Sequence, residues 1–302
     1  MVSSHFYVQP GGTIEGVCHV PGDKSISHRA IILSAISSGV SQIDGFLEGM
    51  DCMATIDAFR QMGVVFDGPF EQRVIVHGVG KNGLQAPDAP IDLGNSGTSM
   101  RLLAGLLAGQ KFSSELVGDA SLMRRPMARV IQPLTQMGAK IEGSDEGKAP
   151  LKIKGGQSLR GMDYICPVAS AQVKSSILLA GLYAEGETAV SETSVTRDHT
   201  ERMLTAYGYP IKKADRRVSV HGDGELTAMN VVVPGDISSA AFLIVAACIV
   251  PDSNLLIKNV GINPTRIGII PILKLMGANI KLLNKRICGD EPVADIAVSY
   301  SA

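Results

Sequence analysis

One pattern of about 70 residues recurs four times along the chain. Each copy opens with Gly or Pro and a few small polar residues, and an aliphatic, Ala-rich helical stretch follows. The four openings are PGDKSISHRAIILSAISSG, GNSGTSMRLLAGLLAG, PVASAQVKSSILLAGLYAEG and PGDISSAAFLIVAACIV, which begin at Pro21, Gly94, Pro167 and Pro234. If the repeats are related by rotation, the small polar starts of these helices face one another and can surround a ligand.

A second helix is predicted in every repeat. The four segments are amphipathic and end in a glycine, at Gly63, Gly138, Gly208 and Gly277. A glycine in this position is typical of a left-handed helix cap. The runs VVFDG, AKIEG and ANIKLL follow three of these glycines and read as strands. The pattern therefore predicts an α/β fold built from repeated helix, helix and strand units.

Composition narrows the class of function. The chain has 302 residues, enough for two domains, and its net charge of −1 provides no general basic field for nucleic acid. Its five cysteines are scattered without metal-ligand spacing, and the apolar run AAFLIVAACIV is too short to cross a bilayer. The first residues also lack the plan of a signal peptide. We expect a soluble cytoplasmic protein with reduced thiols, whose anion-binding site, if it has one, is local.

The opening PGDKSISHRA places positive charge where a helix begins. Lys24, Ser25 and Arg29 lie within about one and a half turns. A helix start already carries partial positive charge, so cations there are unfavourable unless they point into water or face an anion. A solvated first turn capped by Ser25 is the plain alternative. A P-loop is excluded because Asp23 stands where that motif needs glycine.

The second repeat has similar polar groups at its helix start. GNSGTSMR offers the polar or small residues Asn95, Gly97, Thr98 and Arg101. Gly97 would let a backbone N–H approach an anion closely. Further on, Arg124 and Arg125 precede a predicted helix start and resemble a phosphate or carboxylate clamp. A solvent-facing pair of arginines explains the same pattern equally well.

The third repeat adds ASAQVKS and TRDHTER, with the polar residues Ser170, Gln172, Lys174, Arg197, Asp198 and His199. Asp198 could simply cap its helix, and both His28 and His199 are best explained as hydrogen-bonded structural histidines. A helix start contributes only about 0.3–1 kcal/mol towards binding an anion. A hydrogen bond to a charged group contributes about 1.5–3 kcal/mol. Converging cations could therefore hold a polyanionic small molecule where helix dipoles alone could not.

Six motifs in order resemble the 5-enolpyruvylshikimate 3-phosphate synthase family in its bacterial form. They are PGDKSISHRA, LGNSGTSMRLL, RRPM, ASAQVKS, SVTRDHTERML and VPGDISSAAF, and the likeness is collinear over nearly the whole chain. The resemblance implies transfer of the enolpyruvyl group of phosphoenolpyruvate to the 5-hydroxyl of shikimate 3-phosphate, with release of phosphate. It implies a step of aromatic amino-acid biosynthesis, with no metal or organic cofactor, no nucleic-acid or membrane partner, and a monomeric full-length enzyme.

The resemblance assigns the shikimate 3-phosphate site by motif. Lys24 would contact both substrates and serve in catalysis, and Ser25 and Arg29 would hold shikimate 3-phosphate. Ser170 would bind its phosphate group, and Arg197 would be a further phosphate contact.

The phosphoenolpyruvate site is assigned in the same way. Gly97 and Arg125 would bind this substrate together with Lys24, and Gln172 would lie against both ligands. The motif positions Arg101 and Asp236 are interpreted as structural.

The sister family, UDP-N-acetylglucosamine enolpyruvyl transferase, is the nearest alternative. It typically has Asn after the motif lysine and Cys in the loop before Arg-Pro, where this chain has Ser25 and Asp119. Both positions favour the shikimate enzyme. Thr196 stands where the shikimate family usually has Ser, which retains the hydroxyl.

The implied architecture has two domains, each of three βαβαββ-type units, with the N-terminal segment joining the second domain. Residues 21–235 would form one complete domain, and residues 1–20 with 236–302 would form part of the other. The family is longer than this chain, so we interpret the sequence as C-terminally truncated, with further catalytic residues beyond it. A catalytically incompetent anion-binding fragment is therefore the alternative function. The final run ADIAVSY reads as a strand with an unpaired edge.

Overall fold

The computed structural model describes residue 7 and residues 11–301. These residues form two compact units. The first, which we call the three-repeat unit, comprises Pro21–Pro234 and Ile287–Glu291. The second, the one-repeat unit, comprises the described residues up to Val20, Gly235–Arg286, and those from Pro292 onward.

Both predicted series of helices are confirmed. The first series is α1, α3, α5 and α7, and the second is α2, α4, α6 and α8. The helices are α1 (Lys24–Ala35), α2 (Met50–Gln61), α3 (Gly97–Ala108), α4 (Ala128–Gln136), α5 (Ala171–Gly181), α6 (His199–Ala206), α7 (Ile237–Ile249) and α8 (Ile269–Leu275). A short 3₁₀ turn at Leu122–Arg124 precedes α4.

Strands connect the helices in every repeat. They are β1 (Glu15–His19), β2 (Ser38–Asp44), β3 (Val65–Phe70), β4 (Arg73–Val79), β5 (Ile91–Asp92), β6 (Ser114–Val117), β7 (Lys140–Glu142), β8 (Leu151–Lys154), β9 (Asp163–Cys166), β10 (Glu187–Glu192), β11 (Ile211–Ala214), β12 (Arg217–His221), β13 (Val231–Val232), β14 (Asn254–Gly261), β15 (Asn279–Cys288) and β16 (Glu291–Ser299). The runs after Gly63, Gly138 and Gly277 are indeed strands, and β11 after Gly208 completes the series.

The strands form four sheets with one plan, in the orders β13-β2-β4-β3, β5-β6-β8-β7, β9-β10-β12-β11 and β1-β14-β16-β15. In each, a parallel pair is extended by antiparallel strands. The pairs β5–β6 and β9–β10 flank α3 and α5. The other two repeats exchange strands: β1, which precedes α1, pairs with β14, whereas β13, which precedes α7, pairs with β2.

The expected unpaired edge at ADIAVSY is wrong. This run lies in β16, which is an inner strand between β14 and β15, with Ile257 opposite Ile296. The chain reverses at Gly289 and Asp290, both with positive φ, so the long strand β15 occupies the edge instead. Lysine and arginine side chains along β15 are the kind that discourage pairing with another chain.

The second-series helices end as predicted. Gly63, Gly138, Gly208 and Gly277 have φ values of 84°, 99°, 76° and 96°. In this left-handed region a Cβ is disfavoured, and glycine is the residue that closes a helix there without strain.

The first-series helices form the centre of the three-repeat unit. In α1 every residue after Lys24 is buried, and all of α3 except Thr98 is buried. The helix α7 is as apolar as α1 and α3, yet its side chains Phe242 and Ile249 are 80% and 68% exposed. A helix that is apolar all round needs neighbours on every side. Three repeats supply them in the first unit, whereas one repeat covers only part of α7.

Close packing of α3 on α5 depends on one glycine. A Cβ on Gly105 would lie 2.0 Å from the carbonyl oxygen of Ser176. Because the obstacle is backbone, we expect Gly105→Ala to lower the free energy of unfolding by about 3 kcal/mol or more. Chemical denaturation checks this. Gly268→Ala, where a Cβ meets nothing within 4 Å, serves as the control and should change stability little.

Candidate functional site

The N-terminal halves of α1, α3 and α5 meet at one place in the three-repeat unit. His28 Nδ1 of α1 lies 3.2 Å from Ser99 Oγ of α3. The side chain of Arg29 on α1 donates to Ser175 Oγ of α5 at 2.8 Å. Gln172 at the start of α5 bonds to α3 as well, as described below. The predicted convergence of small polar helix starts is therefore present within this unit.

Lys24 and Ser25 stand at the start of α1. Asp23 caps this helix by accepting from the backbone N–H of Ile26 at 2.9 Å, so Ser25 is not the cap. The Lys24 side chain is 46% exposed and pairs with Asp51 in the first turn of α2. Ser25 Oγ accepts from Arg197 Nη1 at 3.0 Å, which brings two of the predicted site residues together.

Arg29 is buried, with 4% of its surface exposed. Its guanidinium donates to Thr200 Oγ1 at 2.6 Å, to Ser175 Oγ at 2.8 Å and to the Ser25 carbonyl at 2.9 Å. Burial lowers its pKa to about 10, and nearby Glu201 opposes that shift. These three partners are neutral, so among the described residues the Arg29 guanidinium bonds directly to hydroxyl and carbonyl oxygens and to no carboxylate. This arrangement suits an anionic ligand.

Arg125 and Gly97 form a second group at the start of α3. Arg125 Nη2 donates to Asn95 Oδ1, whose amide nitrogen donates to Asp119 Oδ2 at 2.7 Å. Hydrogen bonds from Asn95 and from the backbone N–H of Leu122 hold the pKa of Asp119 below its ordinary value. A Cβ on Gly97 would lie 2.9 Å from Arg125 Nη1. The guanidinium thus lies directly against the glycine that begins the helix.

Ser170 and Gln172 begin α5. Ser170 is the N-cap, and its Oγ lies 3.4 Å from the backbone N–H of Val173. Gln172 accepts from Arg101 Nη1 at 2.9 Å and donates to Thr98 Oγ1 at 3.1 Å. Because both ends of its amide are bonded, the orientation of Gln172 is set by α3.

Arg101 and Asp236, which the sequence interpretation treats as structural, both bond to other groups of the protein. Arg101 is buried and also donates to the Gly97 carbonyl at 3.1 Å; burial, with Arg129 and Arg125 nearby, lowers its pKa to about 10. Asp236, in the one-repeat unit, caps α7 by accepting from the Ser238 N–H at 2.8 Å and pairs with Arg266 at 3.1 Å.

The two histidines are buried and hydrogen-bonded. His199 Nδ1 lies 2.6 Å from Glu291 Oε1. His28 Nδ1 lies 2.8 Å from Thr55 Oγ1, and burial, followed by the charges of Lys24 and Arg29, lowers its pKa to about 3. His28 is therefore neutral in the folded protein at neutral pH.

The pKa of His28 predicts acid sensitivity. Its ordinary value is 6.5, so between pH 6.5 and 3 the unfolded chain binds a proton at this residue that the folded chain rejects. The stability that the folded protein has with neutral His28 is complete above pH 6.5 and is lost as the pH falls towards 3. Between pH 7 and pH 5 the loss is about 2 kcal/mol.

Urea denaturation of the wild type and His28→Gln at both pH values measures this difference. The variant should lose less stability on acidification by that amount. His77→Gln, at a histidine whose side chain is 44% exposed, is the control and should follow the wild type. Parallel pH dependence of the wild type and His28→Gln would contradict the assignment.

Some residues of the site were missed by the sequence analysis. Asp51, Thr200 and Glu201 contact or face the predicted residues, and Glu192 at the end of β10 pairs with Lys174 at 2.6 Å. Lys174 had been named with the motif ASAQVKS, whereas Ser175 in that motif and Thr200 and Glu201 in TRDHTER were not singled out. No local pattern marks Glu192, because its partner lies 18 residues away.

Two wider features bear on the kind of site. Within residues 11–301, no group of three or more His, Cys, Asp or Glu side chains is arranged to hold a metal ion. Among the helices that the structure describes, none is both long and apolar enough to cross a membrane.

Known proteins share this sequence and fold. The family model EPSP synthase (3-phosphoshikimate 1-carboxyvinyltransferase) matches residues 8–301. The 3-phosphoshikimate 1-carboxyvinyltransferase of Alkalilimnicola ehrlichii is 60% identical over 293 residues, covering 97% of this chain and 66% of that protein. Its counterpart in Hydrogenovibrio crunogenus is 58% identical over 301 residues, covering 98% and 68%.

The solved structure of EPSP synthase from Acinetobacter baumannii superposes with a TM-score of 0.92 at 53% identity, covering 96% of this chain and 66% of that one. The chain thus spans about two thirds of the length of the curated relatives it matches. A family model that matches nearly the whole chain, together with relatives of this identity, shows that the chain belongs to the EPSP synthase family.

Proposed function

We propose that this chain carries the substrate-holding part of a 3-phosphoshikimate 1-carboxyvinyltransferase. The reaction joins the enolpyruvyl group of phosphoenolpyruvate to the 5-hydroxyl oxygen of shikimate 3-phosphate and releases inorganic phosphate. The family and its close relatives support this activity. The main structural support is that three helices of one unit bring cationic and hydroxyl side chains together near their N-termini.

The donors fall into two groups that suit two anions. Around α1 and α5 lie Ser25, Arg29, Ser170 and Arg197, and we assign these to shikimate 3-phosphate. Around the start of α3 lie Gly97 and Arg125, which we assign to phosphoenolpyruvate. Lys24 and Gln172 are assigned to both substrates.

The chemistry needs both charge stabilisation and proton movement. Protonation of C3 of phosphoenolpyruvate makes C2 electrophilic, and the 5-hydroxyl oxygen bonds to C2 and loses its proton. The resulting tetrahedral species then breaks its C2–O bond to phosphate, and its C3 methyl group loses a proton, which restores the C2–C3 double bond of the enolpyruvyl product. Fixed cations stabilise the negative charge of such a species without reorganising during the reaction. The half-exposed ammonium of Lys24 can also exchange a proton with a bound ligand.

Two measurements test this proposal. The polypeptide of residues 1–302 is expected to bind shikimate 3-phosphate weakly in calorimetry, and to release no phosphate from phosphoenolpyruvate. A chimera of residues 1–302 with the C-terminal third of the Alkalilimnicola ehrlichii relative is expected to release phosphate only when both substrates are present. An inactive but folded chimera, together with absent binding, would refute the proposed function.

A further inference from the structure

Beside the proposed substrate site lies a buried ion triad that the reaction chemistry does not use. Lys174 in the first turn of α5 has 3% of its side chain exposed. Its Nζ lies 2.6 Å from Glu192 Oε2 and 2.7 Å from Glu201 Oε1. The carboxylates are equally buried, each with 5% of its side chain exposed. Buried charges are costly unless paired, so such a triad needs a reason.

Glu201 connects the triad to the buried cation of the site. Burial lowers the pKa of Arg29, and the negative charge of Glu201 is the largest effect that raises it. The Glu201 carboxylate therefore interacts electrostatically with the Arg29 guanidinium. Residue 200, next to it, bonds to Arg29 directly at 2.6 Å. Of the two Glu201 oxygens, Oε1 meets Lys174, while Oε2 is buried without a hydrogen-bond partner. An oxygen in that position could accept from Arg29.

The hydrogen bonds around Arg29 determine where the hydroxyl protons of Ser175 and Thr200 point. Ser175 Oγ donates to the Ala171 carbonyl at 2.7 Å, so it accepts from Arg29 Nη2. Thr200 Oγ1 then accepts from Arg29 Nε and donates to Ser175 Oγ at 2.6 Å. The protein therefore surrounds Arg29 with neutral acceptors and directs the nearby carboxylate to Lys174.

Glu192, the second carboxylate of the triad, is hydrogen-bonded to the segment that carries Arg197. Glu192 Oε1 accepts a hydrogen bond from the hydroxyl of Thr196. Thr196 directly precedes Arg197, which donates to Ser25 Oγ at 3.0 Å. A glutamine at position 192 could still accept from Thr196, which allows the charge of Glu192 to be removed while this bond is kept.

We propose that Lys174 is a positioning residue for Arg29: it holds the Glu201 carboxylate in its own ion pair, so that the Arg29 guanidinium stays available to an anionic substrate. Without Lys174, Glu201 turns to Arg29 and competes with the ligand. The identity of that ligand, shikimate 3-phosphate, rests on the proposed function. The competition between Lys174 and Arg29 for Glu201 does not rest on it.

A matched pair of double variants of the full chain tests the idea. Lys174→Met/Glu192→Gln leaves Glu201 unopposed, whereas Lys174→Met/Glu201→Gln leaves Glu192 unopposed. The two carry the same charge and the same amino-acid replacements in number and kind. The first is expected to weaken shikimate 3-phosphate binding about tenfold or more, and the second to stay within about threefold of the wild type.

A ligand-free measurement follows Arg29 itself. The ¹⁵N–¹H signal of Arg29 Nε–H, assigned from its absence in Arg29→Met, is expected to move downfield in Lys174→Met/Glu192→Gln and to stay in place in Lys174→Met/Glu201→Gln. A role of Lys174 in packing alone would affect both variants alike. Equal affinities and equal Arg29 signals in the two variants would overturn the proposal.

Lys81→Met is the control for loss of a buried lysine. Lys81 is 6% exposed in the same unit and donates to the carbonyls of Leu182, after the end of α5, and Gly222. Its replacement should leave both the affinity and the Arg29 signal unchanged. If the wild type fails to bind shikimate 3-phosphate, the proposed function fails, and the Arg29 signal still decides the role of Lys174.

Discussion

Replacing Arg29 by methionine is expected to remove shikimate 3-phosphate binding while leaving the unliganded protein at least as stable as the wild type. The binding loss follows from the hydrogen bonds that a guanidinium can make to a phosphate, each contributing about 1.5–3 kcal/mol. Loss of such contacts predicts at least about a 100-fold weaker affinity.

The stability expectation follows from the partners of Arg29. Ser175 keeps its bond to the Ala171 carbonyl, Thr200 can keep its bond to Ser175, and the Ser25 carbonyl stays within α1. No buried N–H or O–H group is therefore left without an acceptor. Burial already lowers the pKa of Arg29 to about 10, which means that the fold disfavours its charge, and methionine removes that cost.

Calorimetry for binding and thermal denaturation for stability check the two halves of this prediction. Arg60→Met is the control, because Arg60 is an exposed helix residue paired with Asp57; its affinity should match that of the wild type. A large drop in the melting temperature of Arg29→Met would show instead that this arginine mainly supports the fold.

Replacing Arg125 by methionine is expected to lower kcat/KM of the chimera about 1,000-fold while leaving shikimate 3-phosphate affinity nearly unchanged. Asn95 and Asp119 hold the guanidinium in place against Gly97 at the start of α3. A preorganised cation of this kind acts on charge that develops during the reaction, which is why the effect on rate exceeds that of an ordinary surface ion pair.

The matched control is Arg124→Met, because Arg124 is the neighbouring arginine, lies at the end of the 3₁₀ turn and is exposed. Steady-state kinetics with phosphoenolpyruvate as the varied substrate separate the two arginines. Equal losses in Arg124→Met and Arg125→Met would mean that the pair acts as a general positive patch, as the solvent-facing alternative for these residues implies.

The local features of the fold were predictable from the sequence. Two interleaved series of helices and the glycine caps at Gly63, Gly138, Gly208 and Gly277 follow from residue patterns that act within a few positions. The clustering of small polar helix starts followed from the repeat itself, because rotation of one unit places equivalent ends together.

Strand pairing was less accessible, because it depends on the arrangement of whole repeats. ADIAVSY has the alternation of a strand, but alternation alone does not say which strands lie on either side. The hairpin turn at Gly289 and Asp290 placed β15 at the edge and β16 inside. The plain alternative for α1, a first turn capped by serine, likewise differs from the structure, in which Asp23 accepts the capping hydrogen bond.

Residue patterns along the chain were enough to predict the repeat, the helices and the glycine caps, and to single out Lys24, Arg29 and Arg125, since each pattern depends on neighbouring residues. The three-dimensional structure alone revealed the inner position of β16 between β14 and β15 and the burial of Lys174 between Glu192 and Glu201. The two differ because ion pairing and strand pairing depend on distances in space. The residues that pair in this way lie far apart in the sequence, so no local pattern identifies them.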